Sequence, residues 1–409
     1  MKTSGPIPPG FAAADDGSLK IGGEAAERLV EAAGGTPLFA YDRDLVGRQI
    51  ARFRAAMPDG VALHYAVKAN PYGPLLEWLA SYVDGFDLAS AGELDRLEAA
   101  GGLCVPVSFA GPGKRDAELE RAISAGVTVN LESEGEALRA LAVAERLGVT
   151  PRLAVRVNPP FALKGAGMAM GGRASPFGVD AARVPALVRL LRDAGADWRG
   201  LHVYAGSQLL HAGPLVEAQR QTVALAADIA AAVGAAPPEV NLGGGFGIPY
   251  AHGDSPLDID AVGAALGETL RAAPDILAGT AFAIELGRWL VGEAGVYLAR
   301  VLDVKESGGR RFAITDGGLH HMLAATGNFG QLLRRNYPIA NATRFAAAAA
   351  EEVTVTGCLC TPLDLLGDEV MLPETRIGDL IAIFCAGAYG LTASPQAFLS
   401  QPPAREMLV

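Results

Sequence analysis

A lysine amine can condense with an aldehyde once desolvation or a neighbouring positive charge lowers its pKa, and the run HYAVKAN offers Lys68 for that chemistry. Lys68 ends an apolar, strand-like run that Asn70 and Pro71 then break. The run NLGGGFG follows another such stretch, and Gly243, Gly244 and Gly245 could let backbone N–H groups close around a phosphate. Ser207, in HVYAGSQ, could add a hydroxyl to the same anion. In IELGRWL, Glu285 could bond a protonated heteroaromatic nitrogen while Arg288 pairs with phosphate. His202 could stack on a flat ring. In GCLCTPLD, Cys360 is a thiol able to give or take a proton and Asp364 a carboxylate able to meet an amine. Tyr389, in CAGAYG, could hold a phosphate or carboxylate through its hydroxyl. Taken singly, each has a plainer reading: a solvated lysine, a tight turn, a Glu–Arg salt bridge, a core histidine, a buried cysteine, a core aromatic ring.

These residues need elements to position them. From Thr36 to about Glu285, short β-branched or apolar runs alternate with helical ones, the βαβα pattern of a parallel sheet. Eight runs read as strands: 61–70, 86–90, 105–111, 127–133, 152–159, 200–207, 239–245 and 282–288. Eight strand–helix units favour a closed (β/α)8 barrel over an open doubly wound sheet. After Arg288 the texture turns to β-rich runs at 296–306, 310–318, 352–360 and 379–389. The expected division is therefore a barrel over 35–288 and a C-terminal β domain over 289–409, which the segment 1–34 joins. The insert Pro159–Gly178, rich in Gly, Pro and Met, reads as an ordered or gating loop.

The chain has 409 residues, half of them hydrophobic, and a formal net charge of −11. That balance works against attraction to nucleic acid or anionic membrane. Four scattered cysteines do not make a disulfide framework, and Cys358 and Cys360 form C-x-C without a second pair at zinc spacing. No metal site is expected. With neither a signal-peptide h-region nor a run of about 18 apolar residues, the cytoplasm is the expected compartment.

Taken in order, HYAVKAN, FDLASAGEL, HVYAGSQ, GGGFG, ELGR, GCLCTPLD and GAYG resemble the fold-type III decarboxylases that use pyridoxal 5′-phosphate (PLP), the group of diaminopimelate, ornithine and arginine decarboxylases. The resemblance runs from Thr36 to Tyr389. It implies a (β/α)8 barrel with an alanine racemase-like β domain, and Lys68 as the Schiff-base lysine. It places Asp87 beside the cofactor, His202 on the ring, Ser207, Gly243, Gly244, Gly245 and Arg288 at the phosphate, and Glu285 at the pyridine nitrogen. Tyr389 joins the cofactor set, and Arg156, Thr361 and Asp364 form the substrate set. Cys360 matches the acid that returns a proton. The family's head-to-tail dimers imply a homodimer in which Cys360 and Asp364 serve the partner subunit's Lys68.

Departures bear on the substrate. Thr361 stands where decarboxylases of diamino acids carry Asp or Glu beside the cysteine. Phe329 and Leu333 stand near the places of the Arg and Tyr that diaminopimelate decarboxylases use for the distal carboxylate. HVYAGSQ is longer than the usual HVGSQ, and Leu286 replaces the proline of EPGR. The runs LKGAGMAMGG, GCLCTPLDLL and AFLSQPPAREMLV are similar to the exosortase A system-associated branch and to the butirosin-pathway enzyme that decarboxylates a glutamyl group on an acyl carrier protein. The expected reaction is decarboxylation of an α-amino acid, free or carrier-tethered, with Arg334 and Arg335 as candidates to meet an acidic carrier. The alternatives are a diaminopimelate decarboxylase making L-lysine, a racemase, which would need a Tyr acid opposite the lysine, and an inactive PLP-binding relative.

Overall fold

The protein is described by a computed structural model, which covers residues 2–162, 168, 169, 172, 174–327 and 334–409. Phe329, Leu333 and most of LKGAGMAMGG lie outside the described residues. The chain forms two compact units, Ile50–Gly247 with Leu257–Gly287, and Met1–Gln49 with Ile248–Pro256 and Arg288–Val409.

The first unit is a closed parallel barrel. Its strands are β1 (Val61–Ala66), β2 (Gly85–Leu88), β3 (Val107–Phe109), β4 (Thr128–Leu131), β5 (Arg152–Asn158), β6 (Asp197–Val203), β7 (Glu239–Asn241) and β8 (Ala281–Leu286). They follow one another around the barrel in chain order, and β8 pairs with β1 to close it. Each of the eight expected strands is present, shortened mainly at its C-terminal end, where the chain leaves the sheet to build loops. Helices start where the sequence supplies a cap: Ser90 accepts from the Glu93 N–H, and Ser133 from the Glu136 N–H. Gly148, in the left-handed conformation, stops the helix Glu134–Leu147.

The second unit is built on antiparallel sheet. Six of its strands are β9 (Gly295–Ser307), β10 (Arg310–Thr315), β11 (Ile339–Asn341), β12 (Glu351–Thr356), β13 (Leu365–Leu372) and β14 (Leu380–Ile383), in the order β11-β14-β9-β10-β12-β13, and of these six β10 and β12 pair in parallel. The strand Leu38–Tyr41 pairs with β9 on one side and with β15 (Arg405–Leu408) on the other. Its four residues are all buried, and Leu38 and Ala40 pack with Leu19, Ile21, Val296, Leu298 and Phe384 in one core. The expected boundary at residue 34 therefore falls after Gln49, because a strand pattern cannot say which sheet a strand joins. Residues 248–256 also belong to this unit. No helix among the described residues is long and apolar enough to cross a membrane.

Candidate active site

In the barrel unit, β1 ends at Ala66 and Lys68 follows within a single 3₁₀ turn, Val67–Ala69. The lysine thus stands just beyond the strand, at the C-terminal end of the barrel. Its Nζ donates to Glu285 Oε1 at 3.1 Å and lies 5.4 Å from the centroid of the Tyr204 ring. The lysine side chain is 43% exposed and that of Glu285 only 3%. The other carboxylate oxygen, Oε2, is 3.0 Å from His202 Nε2. Burial alone would raise the Glu285 pKa, but the Lys68 charge and the His202 contact outweigh it and hold the carboxyl well below its usual range. Glu285 is therefore an anion held between a cationic amine and an imidazole N–H.

Behind this group lies a second polar cluster. Asp87 accepts from the Ser108 hydroxyl, and Ser108 Oγ accepts from Asn130 Nδ2 at 3.1 Å. Asp87 Oδ2 is 3.4 Å from His64 Nδ1. Burial would make the His64 imidazole less basic, yet Asp87, with smaller contributions from Glu239 and Glu285, lifts its pKa to about 9. His64 lies opposite Glu285 in the β1–β8 register. Sequence reading missed it, since the register that gives it its neighbours is not written in the strand itself.

The three glycines are required by close backbone packing. A Cβ on Gly244 would stand 1.8 Å from the Glu285 carbonyl oxygen, and one on Gly245 2.4 Å from that of Gly206. Gly243 and Gly245 have φ of 71° and 91°, where side chains are strained. The Gly243 N–H is engaged by Asn241 Oδ1 at 2.9 Å. Ser207 lies in the short strand Gly206–Ser207, which pairs with residues 168–169.

The Arg156 guanidinium donates to Glu132 Oε1 at 2.8 Å, lies over the Phe177 ring and is almost buried. Glu132 also accepts from the Gly111 and Gly178 N–H groups. Arg156 thus ties loop ends to the barrel, its charge met by Glu132.

In the second unit, Arg288 Nη1 donates to the Tyr250 hydroxyl at 2.7 Å, and the guanidinium lies 4.6 Å from the Tyr389 ring centroid. Burial works against the charge, but Tyr250 and Tyr389 raise the Arg288 pKa above its ordinary value. Tyr250, pushed up to about 12 by burial, keeps its proton. It too was missed, although it follows the glycine run directly in GGGFGIPY. Tyr389 takes a left-handed φ of 53°, a strained setting that fixes its ring. Cys360 is exposed. Asp364, by contrast, is buried and accepts from the Leu319 and Leu359 N–H groups at 2.6 and 2.8 Å. The carboxylate pins its own loop in this way. Thr361 Oγ1 accepts from the Leu363 N–H at 3.3 Å.

The chain matches the family model "Pyridoxal-dependent decarboxylase, pyridoxal binding domain" over residues 43–292. It is 35% identical over 379 residues, 91% of this chain and 88% of the relative, to the L-glutamyl-[BtrI acyl-carrier protein] decarboxylase of Niallia circulans. It is 32% identical over 406 residues, 97% of this chain and 91% of the relative, to the diaminopimelate decarboxylase of Methanothermobacter thermautotrophicus. Among solved structures, diaminopimelate decarboxylase from M. jannaschii in complex with L-lysine superposes with a TM-score of 0.86 at 25% identity, covering 98% of this chain and 92% of that one. A buried anion between a lysine and a histidine, beside glycines that no side chain could replace, suits a cofactor with an aldehyde, a basic ring nitrogen and a phosphate, and the chain belongs to the PLP-dependent decarboxylase family.

Proposed function

We propose that the protein decarboxylates an α-amino acid, with Lys68, Glu285 and His202 as the core of its site. The observation that carries this reading is the anionic Glu285 held between Lys68 and His202. PLP, when bound, supplies an aldehyde carbon for amines and a ring that accepts the electron pair left as CO2 departs. Lys68 would hold that aldehyde carbon through its amine. Glu285, charged and buried, accepts a hydrogen bond from the ring N–H and so keeps that nitrogen protonated. His202, oriented by Glu285, offers its flat face to the ring. We assign Gly244, Gly245, Ser207, Arg288 and Tyr389 to the phosphate and Asp87 to the cofactor's surroundings. The substrate's Cα–carboxylate bond breaks, CO2 leaves, and Cα takes a proton from Cys360 or Lys68.

We infer a cytoplasmic homodimer in which Cys360 and Thr361 of one subunit serve the partner subunit's Lys68; exposed Cys360 and the diaminopimelate decarboxylase relatives support that arrangement. The substrate we favour is a glutamyl group tethered to an acyl carrier protein. The similarity to the BtrI carrier-protein enzyme supports this, as does Thr361, which brings no carboxylate for a second amino group. CO2 release from PLP-loaded protein tests it against glutamyl-carrier protein, meso-diaminopimelate, ornithine, lysine and free glutamate. Turnover of the tethered substrate alone is expected, whereas rapid turnover of free diaminopimelate would make the enzyme a lysine-forming one. Lys68→Ala is expected to abolish turnover and the visible absorption of bound cofactor.

A further inference from the structure

The interior of a (β/α)8 barrel is ordinarily filled by interlocking layers of branched side chains. Here the lower part contains a cavity of about 70 Å³, lined by His64, Ser108, Asn130, His202, Glu239 and Asn241. Its remaining walls include Pro106, Thr128, Arg152 and Arg199, which stand at or near the N-terminal ends of their strands. Pro106 is exposed, and the side chains of Arg152 and Arg199 are 37% and 38% exposed. The cavity therefore meets solvent at the face of the barrel opposite Lys68.

A second observation lies at the inner end. His202 uses Nε2 on Glu285, while its Nδ1 is fully buried and has no hydrogen-bond partner among the described residues. His202 is also part of the cavity wall. The room is polar and large enough for several waters, and a buried imidazole nitrogen without a partner bears its whole desolvation cost. His64 forms another part of the wall, close to Asp87, with Gly85 leaving space for its ring: a Cβ there would stand 2.9 Å from it.

We propose that this cavity is a water-filled proton path from the N-terminal face of the barrel to His202, and that His64 is a positioning residue that keeps it polar. A water gives a proton to Nδ1 as the Nε2 proton passes to Glu285 Oε2, and the reverse transfer restores both groups. The proposal rests on the reading of Glu285 as partner of the cofactor's ring nitrogen. On that reading, the nitrogen stays in proton exchange with solvent while substrate fills the C-terminal mouth.

Two measurements test it. A high-resolution crystal structure of the cofactor-free protein is expected to show ordered water bonded to His202 Nδ1; a dry cavity overturns the proposal. The second is a pH jump on PLP-loaded protein with a substrate analogue bound, followed by the cofactor's visible absorption. Thr128→Phe, which blocks the outer part of the path without touching His64, His202 or Glu285, is expected to slow the relaxation about tenfold or more and leave its endpoint unchanged. His64→Leu is expected to slow it as well, while His64→Gln, still polar, restores most of the rate; this pair carries the test if Thr128→Phe does not fold. Equal relaxation in wild type, Thr128→Phe and His64→Leu overturns the path. Failure to bind PLP would instead defeat the reading of Glu285, and the crystal result would still decide whether the water is there.

Discussion

Glu285 keeps its charge in a buried place because two donors, Lys68 and His202, face its two oxygens. Replacing it with glutamine keeps the shape and removes the charge, so the ring nitrogen would lose the partner that holds its proton. CO2 release by Glu285→Gln is expected to fall by about 10²- to 10⁴-fold, with the protein still folded by circular dichroism. His64 sets a pH dependence of its own. Its folded pKa of about 9 lies above the ordinary 6.5, so the pairing with Asp87 stabilises fully below 6.5 and is lost as pH rises through about 9. Thermal melting across that window should show the wild type losing stability with rising pH and His64→Leu losing less. Lys68, Glu285 and the glycines could be singled out in the sequence because their motifs stand together and in order, each having a plainer reading alone. His64 and Tyr250 could not, because their partners are set by strand register and by a return of the chain. Asp364 shows the opposite limit: a carboxylate near a reactive cysteine looks available until its two amide donors are seen.

At the scale of elements, the barrel was legible because each strand is an apolar run followed by a helix with its own cap or stop. The β unit was less so. Leu38–Tyr41 has the composition of a barrel strand, and β13 breaks its alternation with Gly367 and Asp368. Leu38–Tyr41 is assigned only by partners far along the chain, β9 and β15, and β13 by its pairing with the preceding β12. The link between β7 and β8 carries a sharp constraint, the missing Cβ of Gly244 against the Glu285 carbonyl. Gly244→Ala must push β8 outward or the glycine loop away. The expected result is a lower melting temperature together with reduced PLP content after purification, measured on the same sample.

For the whole molecule, an acidic chain must recognise any acidic partner locally, since its formal net charge of −11 repels one at a distance. The proposed sharing of sites between subunits has a direct test. Lys68→Ala and Cys360→Ala are each expected to be nearly inactive. When the two are co-refolded, statistical pairing makes half the dimers mixed, each with one intact site, so about a quarter of wild-type CO2 release should return. No recovery would mean that each subunit completes its own site.

The division of the chain also bears on its birth at the ribosome. The barrel unit has all its strands once Gly287 has emerged, whereas the other unit joins residues before Ile50 to residues after Gly287. Its strand Leu38–Tyr41 pairs on one edge with β15, near the very end of the chain. Throughout synthesis that buried apolar strand has an unclaimed edge, open to mispairing. A nascent chain stalled shortly before residue 405 would hold a finished barrel and a sheet still open to strangers, and deleting residues 405–408 would make that condition permanent.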